Sequence, residues 1–286
     1  MPALDLKGKN FVFVGGSQGI GRAAALALAQ HGASILIVGR NKDAGAAVVA
    51  QAQAAGATAD FLSVDISTVS GIQTAADAIR AWKPELHGLT HSAITAFNQK
   101  TITGDGLELG FAVQYFARVM LNRLLMNHLA ASGDGRIVHI TANVSSQMAD
   151  ENLDDLQFEQ RKWSVMKSVF GTHYLGFLHL QEAGKRYAKL PVSFMASCVA
   201  STKTQSAFDP KTPFIFRLLA RFGTTPELAA RNTVTLLTTA ETSDLKSVIL
   251  PTPKQYTPKP LNVDAADAAK LWEMTTKLAL EKGLSL

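Results

Sequence analysis

The stretch Asn10-Phe-Val-Phe-Val14, followed by Gly15-Gly-Ser-Gln-Gly-Ile-Gly21, decides the fold that we predict for this chain. Its first five residues are nearly all apolar, which is typical of a strand buried on both faces of a sheet. The alanine-rich segment from Gly19 to His31 predicts a helix. A strand, a glycine-rich turn and a helix in this order place free backbone N–H groups and a positive helix end where a phosphate can bind.

The alternation of strand and helix continues along the chain. We expect strands at 10–14, 34–38, 58–64, 86–92, 136–141 and 192–198, and helices at 19–31, 41–55, 67–82, 104–132 and 158–188. Nearly continuous apolar strands that alternate with helices predict a parallel sheet covered on both faces. Right-handed crossovers make this a doubly wound, Rossmann-like α/β fold, and we expect residues 1–286 to form one domain.

The pattern changes after about residue 200. We expect an apolar lid at 205–223, a helix at 224–240, a short strand at 247–250 and a final helix at 265–281. The lid is rich in aromatic residues, namely Phe208, Phe214, Phe216 and Phe222. The proline-rich run 251–260 predicts an irregular surface crossover, which opens a C-terminal tail at 251–286.

Composition excludes several classes of protein. With 47% hydrophobic and 18% charged residues the chain is not disordered, and the single Cys198 excludes a disulfide scaffold and suits a reducing cytoplasm. The net charge is +5, and the Lys and Arg residues are scattered along the chain without a dense run. We therefore expect no nucleic-acid partner. The N-terminus has no signal-peptide core, and no apolar run approaches the roughly 18 residues of a membrane span. We therefore expect a cytoplasmic protein with no membrane partner and no metal site.

The end of the second strand, Val38-Gly-Arg40-Asn41, carries a cation where a site specific for NAD would have Asp or Glu. A guanidinium at this point can bind a ribose 2′-phosphate, which favours NADP(H). The alternative is an Arg that is merely exposed at a strand end.

Several of these segments resemble the short-chain dehydrogenase/reductase family, and the resemblance covers most of the chain. Val14 to Gly21 is similar to the family motif TGxxxGIG, with Val for Thr, and Val64-Asp65-Ile66-Ser67 is similar to its adenine-contacting segment. Three further segments are similar to the retinol-dehydrogenase and protochlorophyllide-reductase-like branch: 105–109, 135–138 and 271–273.

The resemblance implies a set of cofactor-binding residues. His91-Ser92-Ala93-Ile94 stands where the family has NNAG, and Thr204 keeps a position that contacts the nicotinamide amide, although the PG motif reads Val199-Ala200. The complete set is Gly15, Ser17, Gln18, Gly19, Ile20, Gly21, Arg40, Asn41, Asp65, Ile66, Ser92, Ala93, Lys167 and Thr204.

The catalytic positions depart from the family's Asn–Ser–Tyr–Lys tetrad. Gln114 stands at the Asn position, Ala142 at the Ser position and Trp163 at the Tyr position, and Lys167 alone matches. An indole N–H cannot act as a general acid near neutral pH, and loss of such an acid costs about 10²–10⁴ in rate. The sequence therefore argues against a standard alcohol dehydrogenase.

Other side chains are candidates for the missing proton donor. Glu159 would share a helix face with Trp163 if that helix begins early enough. Ser145, Ser146 and Tyr115 are further candidates, with structural or exposed placement as the alternative. The histidines at 91, 139 and 173 are expected to be packed or capped.

Three functions stay open. The first is an NADP(H)-dependent oxidoreductase of specialised metabolism that passes hydride to an acceptor such as an iminium ion or activated alkene on a bulky apolar small molecule. The second is a non-redox cyclase or isomerase on the same scaffold, and the third is a non-catalytic dinucleotide-binding protein. Relatives form homodimers through the helix at about 158–187, and the alternative is that this helix only packs on its own sheet.

Overall fold

The computed structural model describes residues 4–95, 97–239, 246–252 and 257–285. Within them, eight strands form one sheet in the order β3-β2-β1-β4-β5-β6-β7-β8. All neighbouring pairs are parallel except β7 and β8, so the predicted doubly wound fold is confirmed. The strands are β1 Asn10–Val14, β2 Ser34–Gly39, β3 Ala59–Ser63, β4 Gly88–His91, β5 Gly135–Thr141, β6 Val192–Cys198, β7 Ser247–Leu250 and β8 Lys259–Pro260.

Helices cover both faces of the sheet. They are α1 Gly19–Ala29, α2 Lys42–Ala54, α3 Val69–Trp82, α4 Leu109–Phe111, α5 Ala117–Leu124, α6 Met126–Ala131, α7 Ser146–Ala149, α8 Val165–Arg186, α9 Phe214–Arg221, α10 Pro226–Thr238 and α11 Ala265–Glu281. A π-helical turn at Ala112–Phe116 joins α4 to α5, and short 3-10 turns lie at Leu153–Asp155 and Ser206–Phe208.

Side chains of β1 alternate between two hydrophobic cores, as the period of a strand requires. Val12 and Val14 face the core formed with α3, α5, α8 and α11. Phe11 and Phe13 face the core formed with α1, α2 and α10. Both faces of β1 are buried, which is why its sequence is nearly all apolar.

Two predicted helices begin at least five residues later in the structure than in the sequence analysis. The helix expected at 104–132 begins at Leu109, and the helix expected at 158–188 begins at Val165. The second delay has a clear cause, because the Asp155 carboxylate accepts the backbone N–H groups of residues 159, 160 and 161 and holds them in a turn. The Ser164 hydroxyl then caps the helix by accepting the N–H of Lys167 at 3.2 Å.

The C-terminal tail is part of the main body. The side chain of Gln181 on α8 bonds both the N–H and the carbonyl of Val263, and α11 packs along α8. The chain itself thus covers part of α8, the helix through which a homodimer was expected, and the homodimer stays a prediction. The proline-rich run was expected to be irregular, but its last two residues form β8 at the edge of the sheet. Pro260 has no backbone N–H to donate, and an edge strand tolerates this because one of its sides has no partner strand. Residues 253–256 lie outside the described residues.

Four buried histidines lie between the sheet and α8, and three of them meet at Asn122. The Asn122 oxygen accepts a hydrogen bond from His91 Nε2 at 2.8 Å. Its amide nitrogen can only donate, and it bonds Nε2 of His139 at 3.1 Å and of His179 at 3.3 Å. The contacts therefore fix His91 with its proton on Nε2 and the other two with their protons on Nδ1. Trp272 stacks on the ring of His179 and covers the network.

This network makes stability sensitive to pH. Burial lowers the pKa of His91, His173 and His179 to about 3, and the pKa of His139 lies well below its usual value for the same reason. Below about pH 6.5 these histidines bind protons in the unfolded chain but stay neutral in the folded chain. The unfolding free energy therefore falls as the pH falls. Glu151 opposes this between about 4.5 and 7, because burial raises its folded pKa to about 7. We expect the unfolding free energy to fall by about 3 kcal/mol from pH 6.5 to 5.5.

Urea denaturation across this pH range measures the effect. His179→Phe, which keeps an aromatic ring on Trp272, should reduce the dependence by about one proton. The matched control is His31→Gln, since His31 is exposed and should leave the slope unchanged. A wild-type stability that is flat from pH 7 to 5.5 would show that the histidines are not buried as neutral groups.

Candidate active site and cofactor cleft

The glycine-rich turn after β1 fits tightly against the end of β4. Gly15 has a φ of +87°, and a Cβ built there would lie 2.3 Å from the backbone nitrogen of Ala93. A Cβ on Gly21 would lie 2.8 Å from the Cβ of Ser92. Only glycine fits at these two points, because any side chain would push β4 away from the turn.

The N-terminus of α1 is open. Gln18 stands at the cap position with an extended backbone, makes no capping hydrogen bond with its side chain, and the first turn has no acidic residue. By contrast Asn41, Thr68 and Ser164 cap α2, α3 and α8. The first N–H groups of α1 are thus free of side-chain partners at the carboxyl edge of the sheet, which is the arrangement that binds a phosphate.

The other predicted cofactor residues at this edge lie around the turn. The N–H groups of Ser92 and Ala93 both donate to the carbonyl of Val14, at 2.8 and 3.1 Å, so they extend β4 beside β1. Thr204 lies against the turn from the far side, because a Cβ on Gly19 would come within 3.0 Å of its methyl group. The structure therefore brings segments from β1, β4 and the region after β6 together.

The ends of β2 and β3 supply a charged corner. Arg40 is exposed, and its guanidinium lies 4.0 Å from the carboxylate of Asp65, which also accepts the N–H of Ser67 at 3.0 Å. The side chains of two neighbouring residues that were predicted to bind the cofactor make contacts within the protein instead. The Asn41 side chain caps α2 through the N–H of Ala44 at 3.0 Å, and the Ile66 side chain packs into the core.

Gln114 lies in the π-helical turn and is fully buried. Its oxygen accepts the N–H of Thr95 at 2.7 Å, and its nitrogen donates to the hydroxyl of Thr172 at 2.8 Å. The side chain thus joins the loop after β4 to α8 and has little freedom to take part in proton movement.

Lys167 does not lie beside Gln114. It sits in the first turn of α8, partly exposed, with its ammonium 2.5 Å from the Asp150 carboxylate. That contact lowers the pKa of Asp150, first through the hydrogen bond and then through the lysine charge. The α8 residue that meets Gln114 is Thr172, five positions and about 7.5 Å further along the helix.

Trp163 precedes α8 and turns its indole toward a buried carboxylate that the sequence analysis did not select. Its Nε1 donates to Glu108 at 3.2 Å, and Glu108 also accepts the N–H of Phe111 at 2.7 Å and contacts the hydroxyl of Ser168 at 3.4 Å. A cavity of about 10 Å³, room for one water, lies among these side chains and Thr95. The sequence signal for Glu108 was a single acid inside the helix predicted at 104–132, directly before the apolar run that begins at Leu109.

The side chains considered as replacements for the tyrosine acid either make hydrogen bonds elsewhere in the chain or lie outside the helix in which they were expected. Glu159 is exposed and precedes α8, so the idea that it shares a helix face with Trp163 is wrong. The Ser145 hydroxyl caps α7, and the Tyr115 hydroxyl contacts Thr275 of α11 at 2.7 Å. Burial also raises the pKa of Tyr115, which makes it a weaker acid.

Arg118 is a second residue that sequence reasoning missed. It is buried and donates to the carbonyls of Ala93 at 2.9 Å and Ile140 at 3.2 Å, and burial lowers its pKa to about 10. Burial, and after it the charge of Arg118, lowers the pKa of His173, the residue after Thr172. The Nδ1 atom of His173 has no hydrogen-bond partner among the described residues. A single charge inside the apolar run Ala117-Arg-Val-Met120 was the available signal.

No three His, Cys, Asp or Glu side chains in the part of the chain that the structure describes are placed to hold a metal ion. None of the described helices combines the length and apolarity of a membrane span.

The family model described as short chain dehydrogenase matches residues 9–152. The chain belongs to the short-chain dehydrogenase/reductase family. It is an oxidoreductase of that family, whose members bind a nicotinamide dinucleotide. The parallel sheet and the glycine turn at the open end of α1 agree with membership of this family.

Relatives of this dehydrogenase cover nearly the whole chain. "Putative daunorubicin C-13 ketoreductase DnrU" of Streptomyces sp. (strain C5) is 28% identical, over 95% of this chain and 93% of the relative. Human retinol dehydrogenase 13 is 26% identical, over 96% and 85%. In structure, an uncharacterised protein from Mycobacterium paratuberculosis has a TM-score of 0.74 at 20% identity, covering 98% and 96%. A 3-oxoacyl (acyl-carrier-protein) reductase from Agrobacterium tumefaciens, solved with NADP bound, has a TM-score of 0.69 at 20% identity, covering 88% and 95%.

Gly15→Ala tests the tight turn. We expect it to lower the unfolding free energy by more than about 3 kcal/mol, since it adds both a strained φ and a clash with Ala93. Gly56→Ala is the matched control, because Gly56 has a φ of +84° with no atom within 4 Å of a built Cβ, and it should cost about 1–2 kcal/mol. Equal losses in urea denaturation would show that the turn does not depend on the close approach.

Proposed function

We propose that this dehydrogenase uses NADP(H) and passes hydride to an acceptor that needs no proton from an enzymic tyrosine, such as an iminium ion or activated alkene on a bulky apolar small molecule. The observation that carries the proposal is the contact of Trp163 with Glu108. The residue at the expected tyrosine position gives its single N–H to a buried carboxylate, and Ala142 has no hydroxyl to polarise a carbonyl.

The residues of the cleft fit a dinucleotide that carries a 2′-phosphate. The open N-terminus of α1 offers N–H donors for the pyrophosphate, and the end of β2 offers the exposed Arg40. Ser17, close to Gly39, and the backbone of Asn41 lie at the same corner. When bound, the nicotinamide supplies the hydride. That a neighbour in structure was solved with NADP supports this choice of cofactor.

The described tyrosines do not provide a replacement acid. Tyr115 contacts α11, and Tyr187 stacks on Phe194 and meets the edge of Trp272. Burial and the nearby Asp267 raise the pKa of Tyr174, whereas a tyrosine acid that works near neutral pH needs a lowered pKa. Tyr256 lies outside the described residues.

An iminium acceptor removes the need for such an acid. The carbon of a C=N⁺ bond accepts a hydride and gives a neutral amine without taking a proton. An activated alkene that accepts a hydride becomes a stabilised carbanion, which takes its proton from water and needs no tyrosine. A ketone that accepts a hydride becomes an alkoxide, which needs a donor at the same moment. The chain's own contribution is then to orient the acceptor and exclude water, and Trp163 and the apolar residues around it suit that task.

A non-redox cyclase or isomerase is the second candidate function. It is favoured by the contacts of Lys167 and Gln114, because one is paired with Asp150 and the other is held between Thr95 and Thr172. In this alternative the cleft positions a reactive intermediate, and the cofactor only fills its site. A place in specialised metabolism and a cytoplasmic location are also proposals, and no observation here favours the non-catalytic alternative.

Arg40→Ala tests the choice of cofactor. We expect NADPH binding to weaken by about 10–100-fold and NADH binding by less than about threefold, since only NADPH gives the guanidinium a phosphate partner. Calorimetric titration measures both. Lys277→Ala is the control, because it removes one exposed cation on α11 and should change neither affinity. Equal weakening of NADPH and NADH would contradict the assignment of Arg40.

An acceptor series tests the reaction. NADPH oxidation should be measurable with cyclic iminium ions or activated alkenes and at least about 100-fold slower with matched ketones, because loss of a general acid costs about 10²–10⁴. Product analysis with and without cofactor distinguishes the two candidates. Turnover of a substrate that continues after NADPH is removed would overturn hydride transfer in favour of the non-redox function.

A further inference from the structure

The short helix α9 turns its apolar side away from the protein. Its exposed fractions are 69% for Phe214, 51% for Ile215 and 50% for Leu219, and Phe222 just after the helix is 85% exposed. At about 100° per residue these four side chains share one arc, and Ala220, which is 1% exposed, lies on the opposite side. An ordinary surface helix has the reverse arrangement, with its apolar side on the core.

The chain holds α9 in this orientation. Residues 202–224, which we call the α9 finger, form a loop whose ends are joined by a bridge between Thr202 and Thr224. The N–H of Thr224 donates to the carbonyl of Ser201 at 3.0 Å, and a Cβ on Gly223 would lie 2.5 Å from that oxygen. Within the finger, the Thr212 hydroxyl donates to the carbonyl of Ser206 at 2.8 Å. These contacts fix the two ends of the finger and the turn that precedes α9.

The α9 finger also concentrates positive charge. It carries four cations, Lys203, Lys211, Arg217 and Arg221, and one acid, Asp209, so its net charge is +3 where the whole chain has +5. The two arginines lie next to each other around α9, along one edge of the apolar arc. The Arg217 guanidinium lies 6.0 Å from the centre of the Phe214 ring. An apolar arc bordered by cations is the pattern of a helix that lies in a membrane interface.

We propose that the α9 finger docks on the surface of an anionic lipid bilayer. Phe214, Ile215, Leu219 and Phe222 insert among the acyl chains, and the cations of the finger lie at the level of the lipid phosphates. No membrane span is needed, because α9 lies along the interface. The proposal replaces the expectation from sequence that the chain has no membrane partner. It also revises the predicted lid, since Phe214 and Phe222 face outward.

Charge argues for lipid over a second copy of the chain. A symmetric contact between two α9 fingers would place two sets of cations side by side, which is unfavourable. Anionic lipid instead gives each cation a phosphate partner and gives the aromatic rings an apolar phase, so the two features of the finger are satisfied together.

Flotation of the full-length protein with vesicles tests the proposal. The vesicles are phosphatidylcholine alone, or phosphatidylcholine with 30% phosphatidylglycerol. We expect binding to the anionic vesicles at least about tenfold stronger than to the neutral ones, and weaker in high salt. Phe222→Ser should reduce that binding by about tenfold or more, because it removes one exposed ring from the inserted arc. Leu280→Ser on α11 is the matched control, since it removes another exposed apolar side chain outside the finger and should leave binding unchanged.

Three results would overturn the proposal. The first is no binding to anionic vesicles by wild-type protein that circular dichroism shows to be folded. The second is equal binding by the wild type and by Phe222→Ser, which would place the membrane contact elsewhere. The third is a wild-type dimer in light scattering that Phe222→Ser dissociates, which would assign the finger to a second copy of the chain. Circular dichroism of Phe222→Ser should match the wild type. A doubly substituted Arg217→Gln/Arg221→Gln protein keeps the apolar arc and should show a weaker preference for anionic lipid, since two of the four cations of the finger remain.

Discussion

The buried guanidinium of Arg118 is the constraint on which the rest of the site depends. It bonds the carbonyls of Ala93 and Ile140, so it ties together the ends of β4 and β5, the two strands that lead into the cleft. Its charge also lowers the pKa of His91, His139 and His173, in addition to the larger effect of burial. A core that already contains one cation disfavours others, and the histidines around it stay neutral.

The charged and polar side chains of the candidate site form an exposed outer part and a buried inner part. The outer part is the charged corner at the ends of β2 and β3, where Arg40 and Asp65 are exposed and can exchange partners with a ligand at little cost. The inner part is closed, since Glu108 and Gln114 have their polar atoms bonded within the chain. Such an arrangement suits binding and orientation of a ligand. It does not suit rapid exchange of protons, because a bonded buried group must break its contacts before it can act.

The α9 finger connects these properties to the surface. Thr204 lies within the finger and packs against the glycine turn at Gly19, so the segment that carries the exposed apolar arc begins beside that turn. An apolar substrate held at a lipid surface would reach the cleft over a short path along this segment. The proposed function and the proposed docking surface therefore both concern an apolar molecule next to basic side chains.

The sequence by itself determined the sheet and the edge at which we predict the cofactor. Strand β1, the glycine turn and the cation at Arg40 are set by local pattern, because alternation of strand and helix, the need for glycine at positive φ and the end of an apolar run are all read within a few residues. Tertiary structure decided the interior of the site. The start of α8 depends on the carboxylate of Asp155, and the partner of Trp163 is Glu108, 55 residues earlier. Contacts between residues this far apart follow from how helices pack on the sheet, and no local period or propensity encodes them. The outward side of α9 belongs with these, since its pattern shows an apolar arc but only the packed chain shows which way the arc faces.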